Sequence, residues 1–327
     1  MMERTEIKKK RRKRIADAIF VSDIHLTDSC PVSRTDDYIE TQRVKLAFLQ
    51  KLSEKNNNCV ILNAGDLFHH WKASPWLCLF TYQHLPRPFI TIPGQHDLPM
   101  HSLVEKEKSA LYLLKMIFNN GGVHVLMDSD QSNFFRYGDF AIIGKPYGTL
   151  DRFKVEALPD EKERRKILIL HNLVWQNQSP SWSKGSFTDR DLLKKYGKYF
   201  DVILTGDNHA GFVTEQDGCV LVNPGSMLRA TIDQENYEPR CYLYYAQTNE
   251  VVPAYFPVKS GVHSRDHFDW KKEGDGRISA YIEWMNRDWA IGGGLSFKRN
   301  LELYFESHQV SEKIRYLIWK HYEEGEL

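Results

Sequence analysis

Five polar clusters, each set directly after a short apolar run, constrain this chain more than any other feature. Val21-Ser22-Asp23-Ile24-His25 follows the run at 18–21, and Asn63-Ala64-Gly65-Asp66-Leu67-Phe68-His69 follows 60–62. Pro93-Gly94-Gln95-His96-Asp97 follows 89–92, His171-Asn172 follows 167–170, and Gly206-Asp207-Asn208-His209 follows 202–204. Runs of this length, rich in Val, Ile and Leu and bounded by turn residues, read as buried strands. Further runs lie at 123–126 and 140–143. Segments of helical period stand between some of them: 41–52, with Val44, Ala47, Phe48 and Leu52, and 103–118, with Leu111, Leu114 and Ile117. This alternation predicts an α/β fold. Ligands of such folds gather outside the carboxyl ends of the strands, so the Asp and His side chains are expected to meet in one crevice. Glycines 65, 94 and 206 would let the backbone turn sharply beside it. A lone Asp or His at a strand end is ordinarily a cap or a turn residue. Five clusters in this order argue for a site instead.

The chain's 327 residues suffice for one large domain and a small one. A net charge of +1 excludes a polycation, so any attraction to nucleic acid must come from local patches. No run approaches the ~18 apolar residues of a membrane span. The five scattered cysteines form no C-x-x-C pair and read as reduced thiols, which favours a cytoplasmic location. The basic run Lys8-Lys9-Lys10-Arg11-Arg12-Lys13-Arg14 lacks the apolar stretch of a signal peptide behind it. It reads as a nucleic-acid arm, a nuclear address or a solvated tail. After Gly206 the pattern changes to short strands at 211–215, 220–222, 241–246 and 251–256, expected to be antiparallel with Asp217-Gly218 as a hairpin turn. The early strands and this late group are therefore expected to form two packed sheets. The organisation predicted is a basic arm over 1–16, a main domain over 17–258 and a small C-terminal cap over 259–327, the cap carrying a helix at 311–324.

The ordered motifs resemble those of the calcineurin-like metallophosphoesterase superfamily, D-x-H, G-D, G-N-H-D/E, H and G-H-x-H. Gly65-Asp66-Leu67-Phe68-His69 resembles the G-D-L-F-H of its SbcD-type branch, the nuclease subunits of double-strand-break repair complexes, and Asn223-Pro224-Gly225-Ser226 resembles a late P-G-S segment of that domain. The resemblance implies a four-layer α/β/β/α sandwich of two mixed sheets. It implies two divalent ions, which together neutralise a phosphodiester and generate the attacking hydroxide. Asp66 matches the bridging carboxylate. Asp23, His25 and His209 match the other donors to the first ion, and Gln95, His171 and Asp207 those to the second. His96 matches the histidine that contacts the scissile phosphate and assists the leaving group, with Asp97 beside it as orienting partner. His69 matches a second histidine tied to nuclease activity. Two positions depart from the pattern: Gln95 stands for Asn and Asp207 for the first His of the last motif. Both keep donors that suit hard ions, favouring Mn²⁺, with Mg²⁺ as the alternative, over Zn²⁺.

Other residues carry weaker signals. His84, His101 and His124 lack ligand spacing and read as structural or surface residues, as do the cysteines. The loop 172–191 interleaves Trp175, Trp182, Lys184, Phe187 and Arg190, which suits stacking on bases and holding phosphates, or else packing onto the domain. Trp71 and Trp76 admit the same two readings. The resemblance further implies DNA as substrate, an SMC-like ATPase as partner, and a homodimer formed through 76–82 and 103–118. The function expected is a metal-dependent DNA nuclease of repair, recombination or replication. Its rivals are a small-molecule phosphodiesterase or phosphoprotein phosphatase on the same fold, and a non-catalytic nucleic-acid-binding subunit.

Overall fold

The computed structural model describes residues 14–118, 121–127, 134–157, 164–180, 183, 186–265, 305 and 315. The chain divides into two compact units, Met1–Arg265 and Asp266–Leu327. Backbone contacts keep it stitched to the first unit nearly to that boundary, where Arg34 bridges His263 and the Ser264 N–H donates to the Ser33 carbonyl at 3.0 Å. Most of the basic run, Lys8 to Lys13, lies outside the described residues, as does nearly all of the predicted cap with its helix at 311–324. Arg14, the last residue of the run, is held by Glu250 and Thr248, with its guanidinium 4.0 Å from the Tyr245 ring centre.

Fourteen strands and four α-helices are described. In chain order the strands are β1 (Ala18–Val21), β2 (Val60–Asn63), β3 (Phe89–Thr91), β4 (Val123–Val125), β5 (Phe135–Tyr137), β6 (Phe140–Lys145), β7 (Arg165–His171), β8 (Val174–Trp175), β9 (Phe187–Thr188), β10 (Val202–Gly206), β11 (Phe212–Gln216), β12 (Cys219–Asn223), β13 (Arg240–Tyr245) and β14 (Glu250–Tyr255). The helices are α1 (Tyr38–Glu54), α2 (Pro75–His84), α3 (Ala110–Ile117) and α4 (Asp189–Tyr196). One six-stranded sheet runs β14-β13-β1-β2-β3-β4 and the other β11-β12-β10-β7-β6-β5, and both mix parallel and antiparallel pairs.

Alternation along each strand sorts the apolar side chains into three cores. Phe20, Leu62 and Ile90 of the first sheet meet Ile142, Ile169, Leu204 and Val222 of the second. Their neighbours Ile19, Ile61 and Phe89 turn the other way, onto a core shared with Leu46 and Leu49 of α1 and Leu111 and Leu114 of α3. Ile143, Leu168 and Ile203 face Leu192 and Tyr196 of α4 on the outside of the second sheet. The result is the expected sandwich of two sheets between helical layers.

The sheets do not divide into early and late strands. β12 lies parallel to β10, which puts the β11–β12 hairpin on the edge of the second sheet, while β13 returns to pair antiparallel with β1 in the first. Hydrophobic patterning fixes that a strand is buried, but not which neighbour it finds. The helical segment 103–118 is also broken, with a 3₁₀ stretch at Leu103–Lys108 and a new start at Ser109, whose side chain accepts from the Tyr112 N–H. α4 starts inside the expected loop 172–191, where Thr188 and Asp191 cap each other reciprocally.

Candidate metal centre

Tight backbone turns place the polar clusters. Asp23, His25, Asp66 and Asp207 have φ of +49°, +50°, +52° and +79°, a left-handed conformation uncommon in residues bearing a Cβ. The turns are laced to one another: the Asp23 N–H donates to the Gly65 carbonyl at 3.1 Å, His25 N–H to the Asp66 carbonyl at 2.9 Å, and Met227 N–H to the Asp23 carbonyl at 3.1 Å. Glycine is obligatory where they touch. A Cβ on Gly94 would lie 2.0 Å from Asp66 Oδ1, and one on Gly65, at φ +100°, would lie 2.4 Å from His171 Nδ1. The glycines thus make room for the Asp66 and His171 side chains.

Around Asp66 the polar side chains from β1, β2, β7 and β10 converge. Asp23, His25 and His209 can offer donor atoms all within 4.8 Å of one another, and so can Asp23, Asp66 and His171, and His25, His69 and His96. His25 Nε2 lies 3.1 Å from His209 Nε2 and 3.7 Å from Asp66 Oδ2, and His171 Nε2 lies 3.4 Å from the same oxygen. Asp66 Oδ1 instead accepts from the His96 N–H at 2.9 Å. The His171 Nδ1–H donates to the Ala64 carbonyl at 2.5 Å, which turns Nε2 into the site.

The electrostatics are those of a cation site. Asp66 Oδ2, His171 Nε2 and Gln95 Oε1 are buried without a hydrogen-bond partner among the described residues, a costly arrangement that a divalent cation would relieve. Burial pushes His25 down to about 3 and lowers His69 and His209 as well, so all three are neutral imidazoles, the form that binds metals, at pH 7. Burial also raises Asp23 to about 7, with His171 opposing and Asp66 reinforcing the rise. For His171 burial acts downward, but nearby Asp66, then Asp23 and Asp207, carry it up to about 10. The donor set of Asp23, His25, Asp66, His171 and His209 fits divalent ions, and Gln95 and Asp207, bonded to each other, are the further candidates to hold them.

Of the catalytic candidates, His96 and His69 stack at the rim with ring centres 5.5 Å apart, and His96 Nδ1–H donates to the His69 carbonyl at 2.9 Å. That bond corrects the role expected of Asp97. Asp97 is fully buried, and its carboxylate accepts from the backbone N–H groups of Leu67, Phe68 and Gly94 at 3.2, 2.9 and 3.0 Å, locking the loop after β2 to the loop after β3. His101, read as a structural or surface residue, is exposed, and its Nδ1 bonds the Gln95 carbonyl at 3.1 Å while its ring meets His96 and Tyr147 edge-on. Left-handed turns at Met100 and His101 return it to the site, and residue spacing gives no hint of them. Sequence reading also missed Tyr147, whose ring centre is 6.4 Å from that of His171. The Asn223-Pro224-Gly225-Ser226 segment is a bracket for His209. Asn223 Nδ2 donates to the Asn208 and Ala210 carbonyls at 2.6 and 2.8 Å, and the Ser226 N–H to the His209 carbonyl at 3.1 Å.

Among the proposed nucleic-acid contacts, Trp182 and Lys184 lie outside the described residues. Trp175 is half-buried, with its indole N–H on Ser183 at 3.0 Å, and Arg190 bonds Gln216 at 3.3 Å.

A family model of calcineurin-like phosphoesterases matches residues 18–211, which span all five motif clusters. The chain belongs to the calcineurin-like phosphoesterase family. Calcineurin-like phosphoesterases hydrolyse phosphoester bonds with divalent metal ions, and the His/Asp groups described above are this member's candidates for holding them. No curated protein matches the sequence. Among solved structures the chain is similar to the TT1561 protein of Thermus thermophilus, at 11% identity over 75% of this chain and 100% of that one, with a TM-score of 0.45. It is similar to phosphopantetheinyl hydrolase from Mycobacterium tuberculosis, at 12% identity over 73% and 95% of the two chains and a TM-score of 0.43. A third similar structure is a novel archaeal phosphodiesterase, at 13% identity over 73% and 98% and a TM-score of 0.39. Among the described residues, no helix is long and apolar enough to cross a membrane.

Proposed function

We propose that this phosphoesterase is a metal-dependent DNA nuclease. The observation that carries the reading is the pair of stacked imidazoles at the rim. His69, from the Gly65-Asp66-Leu67-Phe68-His69 segment that resembles SbcD-type nucleases, holds His96 through its own carbonyl. When bound, two divalent ions would neutralise the phosphate and lower the pKa of an attacking water. By the resemblance, Asp66 would serve both ions, with Asp23, His25 and His209 completing the first and His171, Gln95 and Asp207 the second. With its Nδ1 proton committed to the His69 carbonyl, His96 would assist the leaving oxygen as an imidazolium, giving up a second proton carried on Nε2. The oxygen-rich second group favours Mn²⁺ or Mg²⁺. A homodimer is part of the proposal: Trp76, Leu79 and Tyr82 of α2 and Leu113, Met116 and Ile117 of α3 are 40–57% exposed, and Tyr82 stacks on Phe118 where the helices meet.

The test is cleavage of labelled single- and double-stranded DNA by purified protein with Mn²⁺, beside Asp66→Asn, with cyclic dinucleotides and a generic phosphodiester in parallel. DNA cleavage lost in the variant is expected. Turnover of the small substrates alone would make the chain a small-molecule phosphodiesterase. Bound metal without any turnover would make it a non-catalytic subunit.

A further inference from the structure

The two positions that depart from the family pattern touch each other. Gln95, after β3, and Asp207, at the end of β10, are 112 residues apart in sequence, yet Gln95 Nε2 donates to Asp207 Oδ1 at 2.5 Å. Only the amide nitrogen can donate to a carboxylate, so the contact sets the orientation of the carboxamide. Its oxygen, Oε1, is thereby turned away from Asp207, and it is one of the buried atoms without a partner. Asp207 is itself fixed at its backbone, where the N–H donates to both Asp23 oxygens at 3.0 and 3.2 Å. The lengths are reciprocal. Gln has one methylene more than the family's Asn, and Asp reaches less far than the family's His, so the longer side chain fills what the shorter one vacates.

We infer that Gln95 and Asp207 are a single compensated unit, in which Asp207 aims the Gln95 carbonyl oxygen at the second ion and makes that position selective for hard divalent cations. The inference rests on the metal-centre reading above. The ligand assignment implied by the family resemblance would then give the position oxygens from Gln95, Asp207 and Asp66 with a single nitrogen, from His171, and such a set suits Mn²⁺ better than Zn²⁺. Neither substitution is a step towards a degraded site, because each supplies what the other needs. Restoring one family residue alone should then harm the site more than restoring both.

The test is calorimetric titration of the full-length chain with Mn²⁺ and separately with Zn²⁺, for wild type, Gln95→Asn, Asp207→His and the double variant. The expected result is two ions in wild type, second-ion Mn²⁺ affinity at least about tenfold weaker in each single variant, and recovery in the double variant with its preference moved towards Zn²⁺. Losses that simply multiply in the double variant, or a Gln95→Asn protein that binds the second Mn²⁺ as wild type does, would overturn the inference. Wild type binding no ion would instead overturn the metal-centre reading beneath it. Should circular dichroism show either single variant unfolded, the near-isosteric cycle of Gln95→Met and Asp207→Asn is read in the same way. Coupling above about threefold supports the unit, and additivity within about twofold overturns it.

Discussion

Asp66 has one carboxylate oxygen bonded to the His96 backbone and the other facing His25 and His171 without a hydrogen bond, so a single side chain joins both halves of the site. Replacing it by Asn in the test above keeps the shape but removes the charge. Metal-dependent hydrolysis should fall at least a hundredfold, since even the supporting partners of metal donors cost about 10–100-fold, while circular dichroism stays unchanged. Lys45 of α1 is a buried amine. It is 2% exposed, donates to the Met227 carbonyl at 2.6 Å, and is pushed down to about 7 by burial, then by Arg229 and Arg34, with Asp36 opposing. Below pH 7 it is charged both folded and unfolded, so the full burial penalty is present. Between pH 7 and about 10 only the unfolded chain keeps the proton, so stability rises with pH by up to about 1.4 kcal/mol per unit. Urea unfolding from pH 6 to 10 should show that slope in wild type, reduced in Lys45→Met. Parallel profiles would show that Lys45 does not titrate in this range.

At the scale of elements, the site depends on how the turns after β2 and β3 are locked together. Asp97 supplies three backbone bonds to that lock, and Gly94 supplies the missing Cβ. Asp97→Ala should lower unfolding free energy by roughly 3–5 kcal/mol, because it strands buried N–H groups, each worth about 1–3 kcal/mol. Urea denaturation reads this directly. Gly94→Ala should displace both the side chain and the backbone of Asp66, weakening metal binding about tenfold or more together with a loss of stability. Unchanged calorimetric affinity would mean that the loop absorbs the methyl group. The glycines and carboxylates of these turns were visible as motifs in the sequence, but the lock was not, since Asp97 Oδ1 and the Phe68 N–H lie 29 residues apart in the chain.

For the whole molecule, the apolar face of α2 and α3 has a measurable consequence. Leu79→Glu with Met116→Glu should convert a dimer to monomers in sedimentation velocity, with the metal site untouched, whereas a wild-type monomer at all concentrations would remove the homodimer from the proposal. The chain shows how far patterning reaches. Local chemistry determined the strands of the two sheets, because buried runs of Val, Ile and Leu ending in Gly, Asp and His are legible one at a time, and it picked out the residues from Asp23 to His209 that meet in the crevice. Partner choice was decided only in three dimensions: β13 returning to β1, His101 turning back on Gln95, the His69 carbonyl holding His96, and Gln95 reaching Asp207. A periodicity records which face of an element is buried. It carries no information on the distant groups that the face meets, since those distances are set by the packing of the whole chain.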